Sequence, residues 1–230
     1  MSNLENLNLS LSITVEELFF DGNHLKNEIV NHLPRLNQLT FDIHSIVKIN
    51  TGRFYPSKEE TDKALNTIGK KFKEIPKTFK EIPNSQVISY IDHFVRRGEC
   101  QGHTYTYPSR MSFYQYLSNQ FPGGYYPSVR VLSLYDDEPF QHRFFLQLVQ
   151  SFPLIQKLVL TNREPQREYK YSNQSINENC HLSIVEYSHL VELDIERSFD
   201  DYVEQFLCHR KTSFRQNIRL HVNSDSLLIE

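Results

Sequence analysis

The amino-acid sequence predicts an α/β solenoid, in which parallel strands alternate with helices, and three features indicate this fold class. A short pattern recurs along the chain: a bulky apolar residue, then Pro or Ser, any residue, and L-x-x-L-x-L. Apolar residues at helical spacing lie between copies of the pattern. The intervals from Leu7 to Leu39 and from Leu132 to Leu158 are close to known solenoid periods. Stacked units of this kind would bury a continuous core that no single unit buries alone.

The predicted strands coincide with the recurring pattern. Its copies lie at 33–41, 126–134, 152–160 and 187–195. The last copy has Ser188 at the position where the others have proline. Leu4, Leu7 and Leu9 predict a further strand near Met1, and the alternation over 218–222 predicts a last one.

Helices are predicted between these strands. Apolar residues at every fourth position predict one helix over 25–33 and another over 113–121. A third is expected to start after Asp137, its predicted N-cap, with an apolar face made of Phe140, Phe144, Leu148 and Phe152. Asp200 is expected to cap a last helix.

Residues 51–107 are predicted to be an insertion made of a helix and a β-hairpin. Ser57 and Glu60 have the spacing of a capping box, and two F-K-E-I-P segments follow. Residues 87–94 and 103–107 are rich in β-forming side chains and flank a turn, which predicts the hairpin. We therefore expect a single domain over 1–230 that carries this insertion.

Composition excludes several classes of protein. The chain has 230 residues and a formal net charge of −3, which argues against the clustered basic surface of a nucleic-acid-binding protein. No apolar run of about 18 residues occurs, so a membrane is not an expected partner. The first residues lack the features of a signal peptide, and the odd number of cysteines suggests reduced thiols. These features predict an intracellular protein, cytoplasmic or nuclear.

The sequence contains no pattern that specifies catalysis or cofactor binding. Cys100 and His103 have a spacing compatible with two metal ligands, but a structural zinc site needs four. The motifs of a nucleophile elbow, a zinc metalloprotease and a phosphate-binding loop are absent. The ten histidines are scattered, and we interpret each as a surface or helix-end residue. We expect no catalytic residue, no metal and no cofactor.

The L-x-x-L-x-L strands followed by helices resemble leucine-rich-repeat proteins and, more narrowly, the degenerate repeat tails of F-box/leucine-rich-repeat proteins. The resemblance rests mainly on 129–160, 184–195 and 200–207 and covers roughly 4–49 and 125–225. It implies an irregular leucine-rich-repeat solenoid. In that family an N-terminal F-box docks an adaptor of a cullin ubiquitin ligase, and the repeats hold the substrate.

This chain departs from that family because it contains no recognisable F-box. Leu33-Pro34 is similar to an F-box opening, but Phe152-Pro153 has the same position in another copy of the repeat. A cullin-ligase adaptor is therefore an expected partner only if an F-box segment exists outside this chain. Without such a segment, we expect no tight, direct binding of the adaptor.

We predict a protein–protein interaction module and not an enzyme. The resemblance implies the more specific role of the substrate-binding part of an F-box-type ubiquitin-ligase receptor in a ubiquitin ligase complex. One alternative is an enzyme with a site in the inserted region, over 87–121. Another alternative is a structural paralogue without a selected partner.

The candidate partner-binding residues follow from strand alternation. If the leucines of the pattern face the core, the residues between them face outward, because successive side chains of a strand point to opposite faces. These residues include Tyr135, Lys157, Thr161, Glu192, Asp194 and Glu196. The three carboxylates would form a stripe that folding does not require. A solvated strand face is the simpler interpretation of this stripe, and a contact for a basic protein partner is the alternative. Tyr135 is the expected anchor, because tyrosine is enriched at binding hot spots.

Overall fold

A computed structural model of the chain describes residues 4–15, 22–48, 86–107, 110–166 and 183–223. The chain divides into two compact units, Met1–Ser109 and Arg110–Glu230. The first unit contains a four-stranded mixed sheet, and the second contains a five-stranded sheet and a two-stranded sheet. No helix in the described ranges has both the length and the apolar character needed to cross a membrane.

The first unit begins with a strand–helix–strand segment. Strand β1 (Asn6–Val15) leads through helix α1 (Gly22–Glu28) and a 3-10 helix (Val30–His32) to strand β2 (Gln38–Lys48). The strands pair in parallel without interruption over the whole length of β1. The intervening helix allows this parallel pairing, because parallel strands need a crossover connection.

A β-hairpin completes this sheet. Strand β3 (Gln86–Phe94) is followed by a 3-10 turn (Val95–Arg97) and by strand β4 (Glu99–Tyr107). Gly98 ends the turn with a φ of +59°, a left-handed conformation that glycine adopts readily. Strand β4 lies between β2 and β3 and is antiparallel to both. The predicted hairpin is thus confirmed, although β4 begins four residues earlier than expected.

One face of this sheet carries the apolar core of the first unit. The core cluster consists of Leu25, Leu36, Leu39, Phe41 and Ile43. Leu7, Leu9 and Leu11 of β1 pack against this cluster but remain only half-buried. Burying a leucine side chain fully stabilises a fold by about 1.5–3 kcal/mol. Each half-buried leucine of β1 therefore contributes less to stability than a fully buried side chain of β2.

The second unit is organised around a parallel sheet in the order β11-β9-β7-β6-β5. The strands are β5 (Phe113–Leu117), β6 (Val131–Tyr135), β7 (Lys157–Asn162), β9 (Glu192–Ser198) and β11 (Arg219–His221). A separate two-stranded sheet pairs β8 (Val185–Tyr187) with β10 (Thr212–Phe214). Helix α2 (His142–Ser151) follows β6, and helix α3 (Asp201–Leu207) follows β9.

A ladder of leucines forms the core side of the parallel sheet. Leu132, Leu158 and Leu193 pair in register across β6, β7 and β9, and each is completely buried. The two helices meet through aromatic rings, with the centroid of Phe145 lying 5.1 Å from that of Phe206. The L-x-x-L-x-L pattern therefore predicts correctly which strand residues are buried here.

The predicted leucine-rich-repeat solenoid is nevertheless wrong. The copies of the pattern are divided between two units with separate sheets, and one of these sheets is mixed. Strand β2, which contains part of the first copy, pairs with the antiparallel strand β4, so it does not continue a parallel array. The reason is that alternating burial specifies a strand and its inward face but does not specify the partner strand.

Two local predictions in the second unit are also wrong. The helix expected over 113–121 is replaced by β5, because Tyr114 and Leu117 are buried on a strand that pairs with β6. Asp137 does not cap a helix, because α2 begins at His142 with Gln141 as its N-cap. The last helix begins directly after Asp200 as predicted, but the side chain of Asp200 makes no capping hydrogen bond.

Several predictions lie outside the described residues. These are the capping box at Ser57 and Glu60, the F-K-E-I-P segments and Cys180. The single domain with an insertion at about 51–107 stays a prediction.

The core of the second unit can be tested with Leu158→Ala. Leu158 is 0% exposed, so its truncation should lower the free energy of unfolding by about 2–5 kcal/mol through lost burial and a residual cavity. Urea unfolding followed by circular dichroism measures the change. Val159→Ala, at the adjacent half-buried position of the same strand, is the control and should have a smaller effect. A loss below about 1 kcal/mol for Leu158→Ala would contradict the burial described here.

Candidate functional site

All of the predicted partner-binding residues lie in the second unit, on strands of the parallel sheet. We call the surface opposite the leucine ladder the strand face; it consists of the residues that alternate with buried positions on these strands. Its first row is Val131, Lys157, Glu192 and Arg219. Its second row is Ser133, Val159, Asp194 and His221. Tyr135 and Thr161 pair in a third row, at the carboxyl ends of β6 and β7.

The carboxylate of Glu192 is neutralised within the strand face. Lys157 Nζ lies 2.7 Å from Glu192 Oε1, and His221 Nε2 lies 3.6 Å from the same oxygen. Arg219 lies 4.0 Å from the other oxygen. The hydrogen bond from Lys157 is the main reason that the pKa of Glu192 is lowered. Glu192 is therefore an ion-paired group rather than a free negative charge.

A register shift interrupts the predicted acidic stripe after Asp194. The pairing of β7 with β9 is irregular between Val159 and Thr161, so that Thr161 pairs with Arg197 instead of Glu196. The carboxylate of Asp194 accepts a hydrogen bond of 3.2 Å from the backbone N–H of Glu196. Because a bulge changes the face to which the following side chains point, alternation does not carry the stripe to Glu196.

The other end of the strand face is aromatic. The rings of Tyr116 and Tyr135 pack edge to face, with centroids 6.3 Å apart. Tyr135 also donates a hydrogen bond of 3.0 Å to Asp137 Oδ1. Phe113, beside Val131 at the edge of the sheet, is 45% exposed. Sequence reasoning found Tyr135 but missed Tyr116 and Phe113, because it interpreted their segment as a helix.

Tyr116 has a strained backbone conformation. Its φ is +54°, a left-handed value that costs a non-glycine residue about 1–2 kcal/mol. The backbone N–H of Tyr116 donates a hydrogen bond of 2.9 Å to Ser133 Oγ, which holds this conformation next to β6. The pairing of β5 with β6 shifts at the same place, between Tyr114 and Leu117. The bulge therefore positions a tyrosine ring against Tyr135.

A hydrogen-bond network joins the loops at the carboxyl edge of this sheet. Asn162, which is 1% exposed, donates to the backbone carbonyls of Asp136 and Glu138 at 3.2 and 2.7 Å. The carboxylate of Asp136 accepts backbone hydrogen bonds from Asn119 at 2.7 Å and from Glu138 at 3.0 Å. Burial is the main reason that the pKa of Asp136 is raised. The carboxylate of Asp136 thus stabilises the loop between β6 and α2.

The first unit contains a polar network that sequence reasoning missed. His44 of β2 and His103 of β4 lie directly opposite each other and are 7% and 5% exposed. His103 contacts the carboxylate of Asp42 through Nε2, and its Nδ1 lies 3.3 Å from the hydroxyl of Tyr90. His44 Nε2 lies 2.9 Å from Gln101 Oε1. These contacts form a hydrogen-bonded group across three strands.

The interpretation of the histidines as surface or helix-end residues is therefore wrong for His44 and His103. It holds for His142, the first residue of α2, although this side chain is 5% exposed and contacts Gln205. Polar residues at alternate positions, such as Asp42 and His44 on β2, are the sequence signal that indicates a polar strand face. The sequence does not reveal that this face is buried.

Cys100 is a buried thiol on β4. Burial raises its pKa to about 11, so the thiol stays protonated at neutral pH and is a poor nucleophile. Cys100 and His103 are three positions apart on a strand, so their side chains point to opposite faces. The spacing that suggested two metal ligands does not bring these groups together.

The comparisons with known proteins identify no relative. The sequence matches no family model, and neither a curated protein nor a solved structure is significantly similar to it. The resemblance to F-box/leucine-rich-repeat proteins therefore stays a prediction. The geometry of the strand face and of the polar network is the basis for any functional proposal.

The burial of His44 predicts a pH dependence of stability. Burial lowers the pKa of His44 from 6.5 to about 4, with a smaller contribution from nearby His103. The unfolded chain then binds more protons than the folded chain between these pH values. The stability is thus present above pH 6.5 and is lost as the pH falls towards 4. We expect His44 to account for a loss of about 2 kcal/mol between pH 8 and pH 5.

Urea unfolding of the wild type and of His44→Gln at both pH values measures this contribution. The variant should lose less stability than the wild type on acidification. His24→Gln, at an exposed position of the same unit, controls for the removal of any histidine. Equal losses in the wild type and in His44→Gln would show that His44 is not the group responsible.

Proposed function

We propose that this protein is a protein-interaction module and that the strand face of the second unit binds its partner. The observation that carries the proposal is the pairing of Tyr116 with Tyr135 on this face, held by a strained backbone, with Phe113 45% exposed beside it. Strained conformations persist only where the surrounding structure enforces them, and they are concentrated at functional sites. No requirement of folding explains why a tyrosine should occupy this position.

The chemical pattern of the strand face matches a protein surface rather than a small molecule. Aromatic and aliphatic side chains occupy β5 and β6, and charged side chains occupy the opposite end on β9 and β11. Protein interfaces are enriched in aromatic residues and combine them with polar groups. Tyrosine side chains such as Tyr135 act as anchors because they combine a large contact area with a hydroxyl group that forms hydrogen bonds.

The charged end of the strand face favours a partner with basic groups near Asp194. Glu192 is already paired with Lys157, so its charge is internally neutralised. Asp194 is half-exposed, and Glu196 is exposed beyond it. A basic side chain of the partner would therefore pair with the carboxylate of Asp194. Lys157 and Arg219 would repel that side chain if it were displaced towards them.

An enzyme with its site in 87–121 is less well supported. One candidate group in this range, His103, is 5% exposed and hydrogen-bonded on both ring nitrogens. Hydrogen-bonded buried side chains of this kind make a sheet structurally specific. Both ring nitrogens of His103 are occupied by these contacts, so a structural role explains this residue better.

The narrower role in an F-box-type ubiquitin-ligase complex remains a proposal from the resemblance alone. It requires an adaptor of a cullin ligase, and we expect this chain not to bind a purified adaptor directly. Calorimetric titration with the adaptor measures this. Tight binding would extend the proposal to the ligase and reveal a docking segment that the sequence analysis missed.

Site-specific photo-cross-linking tests the interaction surface. A photoreactive phenylalanine analogue in place of Phe113 should cross-link to a discrete protein in lysate of the cells that make this chain. Adding Tyr135→Ala should abolish that cross-link, because it removes the predicted anchor while leaving the photoreactive group in place. Circular dichroism verifies that the double variant is folded.

The matched control carries the photoreactive group at Tyr125, an exposed aromatic residue in the segment between β5 and β6. This control should not give the same cross-linked product. Identical products from Phe113 and Tyr125, or a product that survives Tyr135→Ala, would mean that the strand face is not the binding surface.

A further inference from the structure

Strand β1 is an edge strand of the sheet that the described residues of the first unit form. It lies at the end of the order β1-β2-β4-β3 and is ten residues long. Its sequence, N-L-N-L-S-L-S-I-T-V, contains no charged residue, no proline and no glycine. An edge strand has one row of backbone N–H and C=O groups that do not pair within its sheet, and a long uncharged edge is a template for pairing with another chain.

In the described part of the chain, the other edge strands of the two larger sheets each have a protective feature. At the opposite edge of the same sheet, β3 contains the inward-pointing carboxylate of Asp92, which is 4% exposed. Strand β5 has the bulge at Tyr116. Strand β11 has only three residues and carries Arg219, whose side chain is 74% exposed. Charges, bulges and short length are the usual means by which sheets avoid association through their edges, and β1 has none of them.

The two faces of β1 are also self-complementary. On one face, Leu7, Leu9 and Leu11 pack against the core of the first unit but remain half-buried. On the other face, Asn6, Asn8, Ser10, Ser12 and Thr14 are all exposed. A second strand with the same alternation would extend the leucine row on one face and the polar row on the other.

We propose that β1 pairs with β1 of a second copy of this chain, in antiparallel orientation about a two-fold axis. A two-fold axis normal to the sheet keeps the leucine face of both copies on the same side. Centred on Ser10, this register pairs residues 6–14 of the two copies and places Leu9 opposite Leu11 of the second copy. The two four-stranded sheets then form one continuous sheet, and the half-buried leucines of each copy cover those of the other.

A second copy fits this edge better than a charged peptide does. The strand has no charged side chain with which a basic or acidic peptide could pair. A second copy of β1, in contrast, adds apolar side chains to the apolar row and polar side chains to the polar row. Burial of additional leucine surface stabilises the pair by about 25 cal/mol per Å² of apolar area removed from water. A monomeric wild type in the experiment below would leave an unrelated extended peptide as the competing occupant of this edge.

Sedimentation equilibrium of the full chain tests the dimer. The wild type should sediment at twice its 27.3 kDa mass at micromolar concentrations. Ser10→Lys places two ammonium groups opposite each other at the two-fold axis, so its dissociation constant should rise at least about tenfold. Asn31→Lys adds the same charge at an exposed position away from the edge and should leave the dimer unchanged.

Cysteine cross-linking defines the register and remains informative if Ser10→Lys does not fold. Opposite residues of antiparallel strands have Cα atoms about 4.5–5.5 Å apart, which suits a disulfide. Ser10→Cys should therefore form a covalent dimer on mild oxidation, and the displaced Ser12→Cys should not. Wild-type protein treated in the same way controls for the native cysteines. A monomeric wild type, or a dimer that resists Ser10→Lys and gives no Ser10→Cys cross-link, would overturn the proposal.

Discussion

The in-register ladder of Leu132, Leu158 and Leu193 is the interaction on which the second unit depends. Each leucine is completely buried, and each stacks on the next through parallel pairing of β6, β7 and β9. Because strand side chains alternate, burial of this ladder places every intervening residue on the opposite surface. The strand face is therefore a direct consequence of core packing, and a slip of one residue would exchange the two surfaces.

Interruptions of regular pairing give the strand face its chemical character. At Tyr116 the irregularity lies in β5 and produces a strained aromatic contact with Tyr135. Beside Thr161 the irregularity lies in the β7–β9 pairing and brings Arg197 into the place expected for Glu196. Bulges redirect side chains at a small local cost, and they are common near binding sites. In this unit the regular strands form the parallel sheet, and the bulges determine which side chains lie on its strand face.

The sheet of the first unit differs from the parallel sheet of the second unit, because buried side chains lie on both of its faces. Leu39 and Phe41 contribute to an apolar core, whereas His44 and His103 lie in a hydrogen-bonded network. Buried polar groups are tolerated when their hydrogen bonds are satisfied, and an unpaired charge among them is costly. This explains why burial holds His44 in the neutral form and why strand pairing, rather than helix packing, aligns the network.

The sequence by itself determined the positions of most strands, the buried leucines and the hairpin of β3 and β4, because alternation and turn residues act over a few positions. The same local rules placed Tyr135 and Lys157 on one surface. The tertiary structure alone decided that β4 pairs with β2, that Lys157 neutralises Glu192 and that β5 is a strand rather than a helix. These outcomes depend on contacts between residues far apart in the chain. Period-two burial is compatible with several partner strands, so only the folded chain selects one of them.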